Sequence, residues 1–225
     1  MARMLDRRTA LKAGGGACAA LALPARLFAQ ASPVGENERR ILEVARREVE
    51  RAGNALWRRD IAGVADFGLP SSMPRFHFAN LENGTVRSFL VSHGTGSDPG
   101  HSGYLQSFSN VPGSNATSRG AYITWEWYKG QYGTSIRLGG LDTDNSNALP
   151  RAIVMHSAWY ADEAMIRKWG KLGRSNGCFA MGPADFNEAL WHLSGGRLLY
   201  ADKLGIGAPM PPATTLTGLE NTPAG

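Results

Sequence analysis

The 225-residue chain contains two cysteines, Cys18 and Cys178. Cys18 falls in a segment that reads as a removable leader, so the mature chain keeps one thiol and has no partner for a disulfide. Cys178 closes the run Gly173-Arg174-Ser175-Asn176-Gly177-Cys178. Small and polar residues just before a nucleophile let backbone N–H groups converge on a developing oxyanion. His156 lies 22 residues upstream and ends the run Arg151-Ala152-Ile153-Val154-Met155. A thiol and an imidazole suffice for acyl transfer through a thioester. A free thiol, of pKa about 8.5, is mostly protonated at neutral pH, and an imidazole can take its proton and return it to a departing amine. The competing reading of both residues is burial, since free cysteine often packs as a small hydrophobe.

The other histidines carry weaker signals. His93, between Ser92 and Gly94, reads equally as a cleft residue or a turn residue. His77 reads as a strand residue, His101 as a loop residue and His192 as a helix-surface residue. No pair of them has the close spacing of common zinc motifs, so no metal is expected.

The elements that must position Cys178 and His156 are mostly strands. Residues 36–59 read as one helix, because Ile41, Val44, Ala45, Val49, Ala52 and Leu56 form an apolar stripe. Glu36/Arg40, Glu43/Arg47 and Arg46/Glu50 sit at ion-pair spacing on its other side. From residue 61 the pattern changes to strands. Segments 75–81 and 85–91 flank Asn83-Gly84, a strong hairpin signal. Segments 121–128 and 134–141 form a second pair, 151–155 a buried strand, 161–171 a short helix and 196–201 a closing strand. Pro183 suits the first turn of a helix reaching about Leu193. The glycine- and serine-rich stretch from His93 to Gly120 reads as an ordered loop beside the site. Strand alternation puts Trp125 and Trp127 on one face, read as core. Tyr132, in a glycine-flanked turn, is the aromatic assigned to substrate. The tail after Leu204, with Pro211, Pro212 and Pro223 among small residues, reads as disordered. The expectation is a single mainly β domain with peripheral helices: leader 1–31, N-terminal helix 32–60, catalytic domain 61–204 and tail 205–225.

The leader follows from Arg7-Arg8, a short apolar stretch from Ala13 to Ala25, and the small-x-small ending Ala29-Gln30-Ala31. This pattern predicts export to a bacterial periplasm, with the twin-arginine route favoured. The apolar stretch is too short for a permanent anchor, so no stable membrane attachment is expected. Removing residues 1–31 takes five basic residues and one acidic one, a net loss of four, so the formal charge falls from +5 to +1. The basic balance belongs largely to the leader and gives no argument for nucleic-acid binding.

The residues around the pair resemble the L,D-transpeptidases of the YkuD-type fold, and more closely the murein subgroup. The likeness lies in His156 followed by Ser175-x-Gly177-Cys178. It extends to Val91-Ser92-His93-Gly94, Phe108-Ser109-Asn110, Gly120-Ala121-Tyr122 and Leu138-Gly139-Gly140-Leu141 in that order, over roughly residues 60–202. The resemblance implies a β-sandwich with the cysteine and histidine at the end of the sheets. It implies peptide-bond exchange on peptidoglycan stem peptides through a Cys178 thioester, with no cofactor. His156 would be general base and acid, oriented by the carbonyl of Ser157. Gly177 and Cys178 would give the oxyanion their N–H groups, and Ser175 would fix that loop. Arg174, Asn176, His93 and Tyr132 would meet substrate, and carbapenems would acylate the thiol. Two departures stand out: Asn176 occupies a position where many relatives have histidine, and Phe179-Ala180-Met181 lacks the polar residue often found two places after the cysteine. The resemblance leaves open trimming of stems by an L,D-carboxypeptidase, and a peptidoglycan-binding module without chemistry.

Overall fold

A computed structural model describes residues 35–208. The expected leader and residues 209–225 of the expected tail lie outside them.

Helix α1 (Glu36–Ala52) forms where the apolar stripe is unbroken, and buries Ile41, Leu42, Val44, Ala45 and Val49. Glu38 reaches back to accept the N–H of Gly35, closing the first turn. The helix stops earlier than the periodicity predicts, because Gly53 takes φ 52° and turns the chain into a short 3₁₀ segment, Gly53–Ala55. Its acid–base contacts also differ from the exposed pairs expected. Buried Glu48 is held by Arg47 and Arg51, and Arg51 also pairs with Asp142.

Among the described residues eight strands form one sheet: β1 (Ile61–Asp66), β2 (Phe76–Asn80), β3 (Thr85–Phe89), β4 (Gly120–Gly130), β5 (Gly133–Gly140), β6 (Val154–Ser157), β7 (Phe179–Met181) and β8 (Leu198–Asp202). Their order is β3-β2-β1-β8-β4-β5-β6-β7, antiparallel except for β1 with β8 and β6 with β7. The sheet curls until its outermost strands meet, and the Ser92 N–H just beyond β3 donates to Ala180 of β7 at 2.8 Å. The two layers expected of a sandwich are thus parts of one continuous sheet.

Each face buries its own apolar set. Phe67, Phe76, Tyr122, Ile136, Leu138, Met155, Phe179 and Met181 fill the curl. Helix α3 (Pro183–Leu193) closes it with Phe186, Ala189 and Leu193. Ala62, Val64, Ala121, Ile123 and Leu198 face outward beneath α1. Helix α2 (Glu163–Trp169) is short and capped by the Asp162 carboxylate on the Ala164 N–H.

Three sequence expectations change. Trp125 and Trp127 do not share a face, because a bulge shifts the β4–β5 register between Thr124 and Trp127. Trp125 packs on the outer cluster, whereas Trp127 is 60% exposed. The strand expected at 151–155 starts at Val154, since Ala152 adopts φ 53° and ends the preceding turn. Residues 205–208, assigned to the disordered tail, are docked. The carboxylate of Asp66 accepts the N–H groups of Leu204, Gly205 and Ile206, and Ile206 is buried.

Candidate active site

His156 and Cys178 come together through the β6–β7 pairing. The parallel register sets Met155 beside Phe179 and His156 beside Ala180, so Cys178, one residue before β7, lies level with Val154. Met155, Phe179 and Met181 point into the core. Alternation therefore turns His156 and Cys178 to the opposite face, two residues apart along neighbouring strands. Both line one cleft of about 170 Å³, together with Tyr132, Tyr160, Arg174, Ser175 and Asn176.

The Nδ1 of His156 lies 3.0 Å from the carbonyl of Ser157. A carbonyl only accepts, so Nδ1 carries the proton and Nε2 is left as a base. Burial holds the imidazole below its ordinary pKa. Tyr132, carried on the β4–β5 turn, covers the ring in a stack with centroids 4.8 Å apart and planes at 22°. Cys178 is 6% exposed, and its Sγ–H donates to the carbonyl of Ala152 at 3.7 Å. Burial pushes the thiol above its usual range, opposed by hydrogen bonding to the Val154 backbone and by the charge of Arg151. The resting pair is therefore a neutral thiol beside a neutral imidazole.

The loop before the cysteine is stapled from several directions. Ser175 Oγ donates to the Cys178 carbonyl at 2.6 Å and accepts the Gly177 N–H at 3.2 Å. The Ser175 N–H donates to His93 O at 2.9 Å, and Thr95 N–H returns to Ser175 O at 2.7 Å. Ser92 Oγ donates to Gly173 O, whose own N–H reaches Tyr160 O. Gly177 has φ 111°, and a Cβ there would sit 2.8 Å from Ala116 O and 2.9 Å from Ile153 Cδ1. Gly94 allows an equally close approach, since its Cβ would meet Asn115 O at 2.2 Å and Gly177 Cα at 2.7 Å. The long loop thus forms the wall behind the cysteine turn.

Not every residue assigned from sequence reaches the cleft. His93 is buried at 1% exposure; its Nδ1 accepts from Arg75 at 2.7 Å and its Nε2 faces Asp98 at 3.4 Å. Its side chain belongs to a buried polar network, so the substrate assignment is corrected: it supports Ser175 through its backbone. The Gly177 N–H is engaged by Ser175 Oγ and does not face the cleft as a free donor. Arg174 lines the cleft, with its Nη1 held by the carbonyls of Asp98 and Pro99. Asn176 is exposed at the rim.

Two residues were missed. Tyr160 lines the cleft, and burial pushes its hydroxyl up to about 12. A tyrosine before a short helix gives no periodic signal. Arg151 braces the wall by donating to Ser109 O, Ser118 Oγ and Ala116 O. Its position at the start of an apolar run suggested only a strand end.

The family whose model matches this sequence is the L,D-transpeptidase catalytic domain, over residues 36–201. The chain belongs to that family. Solved L,D-transpeptidases resemble it at low identity. One from Mycobacterium smegmatis is 15% identical, with a TM-score of 0.38, covering 64% of this chain and 58% of that one. One from Mycobacterium tuberculosis H37Rv is 14% identical, with a TM-score of 0.40, covering 64% and 57%. The helical cell shape determining protein Pgp2 from Campylobacter jejuni is 11% identical, with a TM-score of 0.41, covering 71% and 55%. The chain therefore spans less than two thirds of the length of these structures. No curated protein matches the sequence.

Proposed function

We propose that this L,D-transpeptidase-family protein cross-links peptidoglycan stem peptides in the periplasm, through a Cys178 thioester with His156 as base and acid. The observation that carries the reading is the shared cleft. The thiol and the imidazole face it from adjacent strands, and Ser157 O fixes the tautomer that leaves Nε2 basic.

Cys178 Sγ attacks the carbonyl carbon of the L-centre of the diamino acid at stem position three, and its proton passes to His156 Nε2. The tetrahedral oxyanion takes the Cys178 N–H; the Gly177 N–H joins it only on leaving Ser175 Oγ. One such donor is worth roughly 3 kcal/mol of barrier. Collapse breaks the amide C–N bond, and the imidazolium protonates the departing D-residue amine. An amine of a second stem then attacks the thioester, gives its proton to His156 and releases the thiol. Arg174, steadied by two carbonyls, supplies charge to a stem carboxylate, while Asn176 and Tyr132 border the donor peptide. Water in place of the amine would make the protein a carboxypeptidase.

The test is intact mass after incubation with meropenem. Thiol addition opens the β-lactam C–N bond and the ring nitrogen takes the proton, so the protein gains the mass of the whole drug. One adduct is expected, absent from Cys178→Ala; an adduct that persists in the variant would refute the nucleophile. Muropeptide products then separate dimers from trimmed monomers.

A further inference from the structure

A second concave surface lies on the same β4–β5 hairpin that carries Tyr132. It is a groove of about 530 Å³ whose walls include Trp127, Thr134, Leu190, Trp191, Ser194 and Arg58. Trp191 is 84% exposed and Trp127 60%. The bulge that breaks the register after Thr124 sets Trp127 opposite Ile136, on the face that α3 covers. The C-terminal end of α3 is stitched to this irregular stretch: Gly195 N–H donates to Trp125 O at 3.1 Å and Gly196 N–H to Thr124 O at 2.7 Å. The two indoles are thus held across a fixed gap. The segment that carries Arg58 is tied to the same turn, since the Trp57 and Arg58 N–H groups both donate to Gly196 O. Arg197, at the base, is committed to Asp60 through two short bonds.

The composition of the groove narrows its occupant. An indole buries about 150–250 Å², so two at these exposures offer roughly 300 Å². A stable interface with a second copy needs about 800 Å² per partner. The remaining lining is Leu190, the hydroxyls of Thr134 and Ser194, and two arginines, so hydrogen-bonding groups stand beside the apolar ones. A pocket of a few hundred Å³ accepts a small ligand. Flat aromatic platforms with polar rims match hexopyranose rings, whose axial C–H groups form an apolar face and whose equatorial substituents form a polar edge. The groove and the candidate active site lie on opposite faces of the same hairpin. Thr134 lies two residues from Tyr132, and the next residue, Ser135, pairs with His156.

We propose that this groove binds N-acetylated amino-sugar units of a glycan strand, holding the polymer while a stem peptide enters the cleft. The proposal rests on the substrate class assigned under Proposed function. Trp127 and Trp191 stack on successive sugar faces, and Arg58 donates to an acetamido carbonyl.

The test is titration of the mature protein with chitotetraose and with peptide-free glycan strands, followed by indole fluorescence and calorimetry. Saturable binding is expected. Trp191→Ala and Trp127→Ala should each weaken it by roughly tenfold or more, with unfolding midpoints showing that both variants fold. Trp169→Ala, on α2 outside the groove, should bind as the unaltered protein does. Absence of saturable binding, or undiminished binding in Trp191→Ala, would overturn the proposal. So would equal affinity for cellotetraose, which lacks acetamido groups, or a dimer that Trp191→Ala abolishes. Meropenem acylation of the unaltered protein reads the catalytic proposal independently. An adduct without glycan binding sinks the groove alone, and glycan binding without an adduct sinks the catalytic reading alone.

Discussion

The ring of Tyr132 lies nearly parallel on the imidazole of His156, with centroids 4.8 Å apart. A turn of the β4–β5 hairpin is thereby the cover of the base. Removing water from one face of the imidazole contributes to the burial that lowers its pKa. In Tyr132→Ala the imidazole should titrate closer to its ordinary value. NMR titration of the ring protons should show the rise, and carbapenem acylation should slow several-fold. An unchanged His156 titration would mean that the stack does not set its environment.

The rate of acylation should climb with pH across the neutral range and into the alkaline one. His156 is held low, so it is already neutral near pH 7, whereas burial holds the thiol high and little thiolate exists there. Raising pH adds thiolate without cost to the base. A stopped-flow profile that peaked below neutrality and fell above it would contradict a neutral resting pair.

Gly177→Ala should cripple the site more than it harms the fold. The added Cβ meets Ala116 O and Ile153 Cδ1 below 3 Å at φ 111°. Strain of this kind costs about 1–3 kcal/mol, and relief requires moving the turn that carries Cys178. Loss of acylation with a cooperative unfolding transition is the expected outcome; near-normal acylation would show that the turn tolerates displacement.

Asp66 gathers the N–H groups of Gly68, Leu204, Gly205 and Ile206 on one buried carboxylate. Asp66→Ala leaves these donors unpaired and removes a counter-charge near buried Arg75. A loss of about 3 kcal/mol or more is expected. Urea unfolding measures it, and proteolysis should cut first beyond Asp202.

Acid should destabilise the protein through its buried histidines. Burial lowers His77 to about 4 and His93 to about 3. Both folded values lie below the unfolded one, so between pH 6.5 and those values the unfolded chain binds protons that the folded chain refuses. Stability is therefore present at neutral pH and falls as pH drops through that window. His77, whose Nε2 is buried without a partner, contributes up to about 3 kcal/mol of this loss. A His77→Leu variant should show a flatter dependence of its unfolding midpoint between pH 6.5 and 4.

Much of the architecture is written in local pattern. The α1 stripe, the Asn83-Gly84 hairpin, the strand runs on either side of Gly133 and Pro183 at a helix start each announce an element within a few residues. Boundaries fail where one backbone angle decides them, as at Gly53 and Ala152. The Trp125–Trp127 alternation fails because a bulge has no signature in side-chain type. His93 misleads for another reason: a histidine between small residues looks the same whether it faces a cleft or a buried arginine.

The sequence by itself determined the chemistry on offer, a thiol after Ser175-Asn176-Gly177 with a histidine 22 residues before it, and the class of fold that would hold them. Only the tertiary structure decided their surroundings. The parallel β6–β7 register turns both side chains to one face. Tyr132 arrives from the β4–β5 turn, the Gly173 N–H ties the carbonyl of Tyr160 to the loop before the cysteine, and the buried Arg75–His93–Asp98 network closes behind the turn. Those features depend on contacts between residues far apart along the chain, and local patterns of residue type carry no record of which distant segments meet.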